Sequence, residues 1–172
     1  ILALMLAWAL VAPVAVQARS ETQLVDGWRF HPGEVGGDAT APAFDDAGWQ
    51  LVAVPHTWNK LGNYDTPRRP DADTTRGVGW YRTRFTLPQD AAGQRTFLQF
   101  DAASIIAEVW VNGRKLGRHE GAFSRFRLDA TDAVQPGENV LAVRVDNSKP
   151  EPGSTTEFIV PISGDFFMYG GL

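Results

Sequence analysis

The adjacent carboxylates Asp45 and Asp46 are the arrangement in this chain most readily taken for an acid/base pair. Neighbouring side chains in an extended or turn segment point apart, whereas a catalytic carboxylate pair must face a shared gap. An acidic turn before Trp49 accounts for them instead. His31 and His119 offer imidazoles, but neither has a Cys, His or carboxylate at metal-ligand spacing, which argues against a zinc site. Gly170-Gly171 lacks the helix and lysine of a phosphate loop and reads as a tight backbone turn. Trp28, Trp49, Trp80 and Trp110 read as core or edge-packing aromatics, although a solvent-facing pair could stack on a sugar. His56 and Trp58 are expected to pack and hydrogen-bond at the base of a loop.

The elements that must position these residues are strands. Asn112-Gly113 joins two strand-like runs in Ile106-Ala-Glu-Val-Trp-Val-Asn-Gly-Arg-Lys-Leu-Gly117, and both turn residues tolerate the positive φ of a type I′ hairpin. Alternation is clearest in Tyr81-Arg-Thr-Arg-Phe-Thr-Leu87, where every second side chain can face a core. Strands are predicted over residues 23–30, 50–54, 80–87, 96–101, 107–111, 115–119, 124–129 and 139–146. Pro88, Gly93, Pro136-Gly137 and Pro150 punctuate them. No apolar period of 3.6 runs over ten or more residues, and no repeat is present. Short antiparallel strands in this number predict an all-β antiparallel sandwich, a jelly roll or a relative of it. Two connections, Pro55 to Gly79 and Asp146 to Gly171, are too long for hairpin turns. Loops of that length are commonly functional, so both are candidates for contacts outside the sandwich.

Composition narrows the class further. Residues 1–18 are apolar and end in Val16-Gln17-Ala18, the small-residue pattern of a signal peptidase site; Pro13 and the marginal length argue against a membrane span. The expectation is a partial signal peptide, a secreted or periplasmic protein, and no membrane span once the leader is removed. The remainder, residues 19–172, is of a size for one sandwich core, burying about 70 % of the unfolded surface. There is no cysteine, so disulfides say nothing of the redox compartment. The net charge is -4, and the basic residues are scattered, which argues against nucleic acid as a partner.

The ordered motifs Asp26-Gly-Trp-Arg-Phe30, Phe44-Asp-Asp-Ala-Gly-Trp49, Val54-Pro-His-Thr-Trp-Asn59, Gly79-Trp-Tyr-Arg82, Val109-Trp-Val-Asn-Gly113, Gly117 to Phe123, Gly137-Glu-Asn139 and Asp165 to Gly171 carry a family likeness. The chain resembles the N-terminal sugar-binding domain of glycoside hydrolase family 2, a galactose-binding-domain-like jelly roll, and most resembles the β-galactosidase-like members. The resemblance covers residues 20 to 172. It implies a front domain of a larger enzyme that continues into further sandwiches and a catalytic (β/α)8 barrel.

Family members are retaining glycosidases that use an acid/base and a nucleophilic glutamate. The resemblance places both in the barrel, so Glu108, Glu120, Glu138 and Glu157 are assigned no chemistry, and this stretch alone is expected to hydrolyse nothing. It matches Asp165 to an aspartate that reaches into the barrel's active site and holds hydroxyls of the terminal sugar. In some members a sodium or magnesium ion lies nearby. A carboxylate suits that task because it accepts charge-assisted bonds from vicinal hydroxyls; the plainer reading is an Asx turn beside Gly164. Asn59, Asn63 and Tyr64, in or next to the first long loop, are further candidates for touching the sugar or the barrel. The implied ligand is a β-galactoside or related saccharide and the implied partner is the barrel, with an oligomeric parent compatible. The alternatives are a β-glucuronidase or β-mannosidase of the same family, or a stand-alone carbohydrate-binding sandwich without catalysis.

Overall fold

Eight strands form in a computed structural model that describes residues 19–59, 76–159 and 169–172. They are β1 (Trp28–Pro32), β2 (Gln50–Val52), β3 (Val78–Leu87), β4 (Phe97–Phe100), β5 (Ile106–Val111), β6 (Arg114–Glu120), β7 (Phe126–Asp129) and β8 (Gly137–Asp146). A six-stranded sheet runs β2-β1-β3-β8-β5-β6, and β4 pairs with β7 in a second sheet. Every pairing among them is antiparallel. The expected leader at 1–18, Asn63, Tyr64 and Asp165 lie outside the described residues. No helix among the described residues is long and apolar enough to cross a membrane.

The alternation read from the sequence explains the inner layer. Trp28 and Phe30 of β1, Tyr81 of β3, Ala107, Val109 and Val111 of β5, and Leu141, Val143 and Val145 of β8 form one buried cluster with Phe100 and Phe126 of the smaller sheet. Phe100 and Phe126 stack with ring centroids 4.8 Å apart. Burying apolar surface between two sheets is the main source of stability in such a sandwich.

The β5–β6 connection is the two-residue turn expected at Asn112 (φ 51°) and Gly113 (φ 82°). Asn112 does more than accept a positive φ. Its Nδ2 donates to the Ala133 carbonyl at 2.9 Å and to Asn139 Oδ1 at 2.8 Å, and its Oδ1 accepts from the Val140 amide at 2.9 Å. The hairpin is thereby pinned to β8. One irregularity follows the turn: Trp110 faces Lys115 but Val109 faces Gly117, so Leu116 is an extra residue in β6, a β-bulge.

Three expectations require correction. The first strand begins at Trp28, not Gln23, because Gly27 takes φ 77° and the Trp28 indole donates to the Leu24 carbonyl at 2.8 Å, bending the chain before the ladder starts. A short helix, α1 (Thr155–Ile159), forms inside the second long connection, where only loop was expected. Third, β3 is buried on both faces over Gly79 to Thr83. Residues 33–49 lie across the outer face, where Ala39, Trp49 and Trp80 form a second cluster with Val35, Phe44, Val78 and Trp110. Trp80 and Trp110 stack at 5.5 Å.

Arg82 ties that covering segment down. Its side chain is fully buried; Nε donates to Asp46 Oδ2 at 2.7 Å, Nη1 to the Ala39 carbonyl, and Nη2 to the Ala41 carbonyl at 3.2 Å. Arg84 also bonds Asp46, at 3.2 Å. Burial pushes the Asp46 carboxyl upward, but the hydrogen bonds from Arg82 and Arg84 outweigh it and hold the group below the ordinary carboxylate value. Asp45 instead accepts from the Ala47 amide at 3.0 Å, closing an Asx turn. The two adjacent carboxylates therefore serve separate structural tasks.

Candidate functional site

The two long connections meet at one place. His56 to Asn59 stands near the start of the first, and Tyr169 to Leu172 stands at the end of the second, and backbone pairing fastens the two together. His56 N donates to the Leu172 carbonyl at 2.7 Å and Leu172 N returns a bond to His56 O at 3.0 Å. Bridges join Thr57 to Gly171 and Ser104 to Gly171. Ser104 N donates to Gly171 O at 3.1 Å.

Gly170 is held at both ends of its backbone. Its N–H donates to Asn59 Oδ1 at 2.7 Å, while its carbonyl accepts from Thr57 Oγ1 at 2.8 Å and from Trp58 N at 3.3 Å. Thr57 Oγ1 also accepts from Asn59 N at 3.2 Å, so the clamping residues brace one another.

Trp58 explains why glycine stands where it does. Its indole stacks on Phe30, with centroids 5.8 Å apart, and lies against two glycines from distant parts of the chain. A Cβ at Gly79 in β3 would come within 2.6 Å of the ring, and one at Gly170 would overlap it outright. A Cβ at Gly171 would overlap the His56 carbonyl. The Gly170-Gly171 pair thus permits close approach of backbone to an indole and to the His56–Thr57 backbone, where the sequence suggested a tight turn.

His56 links the clamp to the core. Its Nδ1 lies 2.8 Å from the hydroxyl of the fully buried Tyr81, and its ring packs 4.8 Å from Phe30. His56 packs and hydrogen-bonds as the sequence suggested, and Trp58 packs as suggested, although the bond it makes is through its backbone N–H to the Gly170 carbonyl. Burial lowers the His56 pKa from 6.5, and burial is also the leading cause of the lowering at His119. A histidine with a depressed folded value contributes stability that is present above about 6.5 and is lost as pH falls toward the folded value. Thermal unfolding of residues 19–172 is therefore expected to show a midpoint that drops between pH 7.5 and 5. His56→Asn should reduce that drop and leave the share due to His119; an unchanged pH profile would refute the assignment.

Of the sugar-contact candidates, Asn59 is buried and engaged with Gly170, while Asn63, Tyr64 and Asp165 fall outside the described residues. Sequence reasoning overlooked Thr57, Gly79 and Ser104. The one available signal was the recurrence of glycine beside aromatic residues in Gly79-Trp80 and Tyr169-Gly170. Among the described residues no three His, Asp or Glu side chains converge as a metal site. A cleft of about 350 Å³, lined by Arg95, Arg114, Lys115, Asp129, Thr131 and Asp132 among others, shares no residue with the clamp. Its charges are already matched, Arg95 with Asp129, Arg114 with Asp132 and Lys115 with Glu108.

Comparison with known proteins shows that the chain is similar to glycosidases. Residues 74–156 match the family model described as glycosyl hydrolase 2 galactose-binding domain-like. A putative beta-glucuronidase of Formosa agariphila is 34 % identical over 130 residues, covering 76 % of this chain and 15 % of the relative. Beta-galactosidase BoGH2A of Bacteroides ovatus is 35 % identical over 143 residues, covering 81 % of this chain and 17 % of that enzyme. The crystal structure of a Bacteroides uniformis beta-glucuronidase superposes with a TM-score of 0.72 at 36 % identity, over 87 % of this chain and 16 % of the other. The chain thus spans about a sixth of the length of these relatives.

Proposed function

The chain belongs to glycoside hydrolase family 2 through its galactose-binding-like domain, and from that premise we propose that it is the amino-terminal domain of a secreted retaining β-glycosidase. The domain supports a catalytic barrel of the same polypeptide and completes its sugar subsite through Asp165. Cleavage of the glycosidic bond belongs to two carboxyl groups about 5 Å apart elsewhere in the polypeptide, which pass the sugar through a covalent intermediate. Asp165 binds and orients: its carboxylate accepts hydrogen bonds from sugar hydroxyls and moves no proton.

The observation that carries this reading is the clamp. It fastens the stem of the loop bearing Asn63 and Tyr64 to the stem of the loop bearing Asp165. Two candidate contact segments so tethered suit a shared ligand better than two unrelated loops do. The apolar leader supports secretion, and an oligomeric parent is compatible with the reading.

The motifs Val54-Pro-His-Thr-Trp58 and Asp165 to Gly171 favour a terminal β-galactoside. A β-glucuronide is the second reading, favoured by the names of the Formosa agariphila and Bacteroides uniformis relatives. Kinetics of the full-length protein on matched aryl β-galactoside and β-glucuronide decide between them by the ratio of kcat/KM. Asp165→Ala should raise KM for the better substrate about tenfold, the loss of one charge-assisted hydrogen bond. An unchanged kcat and KM would remove Asp165 from the subsite. A gene with no barrel downstream would favour a stand-alone carbohydrate-binding module instead.

A further inference from the structure

We propose that Phe123 is the anchor by which this domain docks on the catalytic barrel of its own polypeptide, its ring entering an apolar recess there. The inference deepens the reading of this chain as a glycosidase front domain and rests on it. It gives the Gly117 to Phe123 motif a task that the reading leaves open.

Phe123 is 71 % exposed, the barest large apolar side chain among the described residues. Lone exposed apolar residues are common on protein surfaces, but this one is held out by its surroundings. Its neighbour Ala122 is buried with Ile105 and Ile106. Gly121 N donates to the Ile105 carbonyl at 2.9 Å, and His119 Nε2 lies 3.1 Å from Ser124 Oγ, closing the loop. A Cβ at Gly121 would come within 2.7 Å of Ser124 Oγ, so the turn is already filled. With both sides of residue 123 tied down, the ring stays in water unless another surface covers it.

The position of the loop and the chemistry around the ring identify that surface. Gly121 bonds Ile105, and the adjoining Ser104 bonds Gly171, so the loop stands beside the last residues of the chain. In the proposed parent the polypeptide therefore enters its later domains next to Phe123. About five-sixths of each relative lies outside the stretch matched here, ample to cover one ring. A sugar platform would need polar side chains near the ring that are open to hydroxyls. Here His119 and Ser124 face each other, Glu120 is engaged by Arg118 and by Thr156 Oγ1 at 2.9 Å, and Arg125 bonds Asp101 at 2.8 Å. The loop thus presents a bare ring, and aromatic anchors of that kind are what packed protein interfaces bury.

In the full-length enzyme, Phe123→p-benzoylphenylalanine puts a photoreactive ketone where the ring lies. The expected product of irradiation is a crosslink within one polypeptide to a peptide beyond residue 172, located by mass spectrometry. A crosslink to residues 19–172, a product of doubled mass, or no crosslink each overturns the proposal. Should that variant fail to accumulate, Phe123→Cys is alkylated instead. Position 123 should then react at least about tenfold more slowly in the folded enzyme than in urea, and a smaller difference overturns the proposal. A gene with no barrel downstream overturns the front-domain reading and the docking role together. With a barrel present, a crosslink found elsewhere or not at all removes the docking role alone.

Discussion

Asp46→Ala should destabilise the domain by about 3–5 kcal/mol, the range for removing one partner of a buried ion pair. The magnitude follows from what is left behind. Arg82 is fully buried in the middle of β3, so its guanidinium would lose its matching charge and keep only the Ala39 and Ala41 carbonyls. Arg84 would lose a partner as well, but it is largely exposed and contributes little. Urea unfolding of residues 19–172 reads the difference directly. Replacing both partners with apolar residues, Asp46→Leu with Arg82→Met, should cost well under the sum of the single changes, since no orphan charge remains. A single-mutant loss below about 1 kcal/mol would show that Arg82 finds water or another partner. The same pair sets an acid limit: with the folded Asp46 value below the ordinary 3.8, its contribution is present above that value and disappears as pH falls through the folded one.

Gly170→Ala is expected to cost about 3 kcal/mol, the upper end for overpacking a filled site, and to release the exit segment from its clamp. The added methyl would overlap the Trp58 indole. The ring has little room to retreat, because it already stacks on Phe30 and presses against Gly79. Either the indole leaves its slot or the Gly170 peptide does, and in the second case the bonds to Asn59, Thr57 and Trp58 break together. Trp58 fluorescence and hydrogen exchange at the residue 170 amide distinguish the two routes. Exchange as slow as in the parent, with an unshifted unfolding midpoint, would contradict the packing described.

Most of the sandwich is legible in the sequence, and the clamp is not. Each predicted strand overlaps one observed, because alternation and turn residues are local signals. Asn112-Gly113 fixed a hairpin for the same reason. Arg82 shows where local reading stops: alternation identifies a face that meets a core, but a second layer on the opposite face comes from residues 33–49, which carry no strand signal. Gly170 is a comparable case. Its neighbours suggested a turn, whereas the cause is an indole brought in from residue 58. Asn59 looked like a polar loop residue available to a ligand, and its buried bond to Gly170 depends on a pairing 111 residues distant.

The extra residue at Leu116 decides which side chain lies beneath the smaller sheet. In an unbulged hairpin the pairing that sets Trp110 against Lys115 would continue by setting Ala107 against Arg118, placing a guanidinium on the inward side. The insertion shifts the count by one, so that Ala107 meets His119 instead. An uncharged imidazole then lies flat on Phe126, with centroids 4.1 Å apart, while Arg118 turns outward to meet Glu120. One unpaired position thus reverses the parity of half a strand, and with it the polarity of the interior at that end of the molecule.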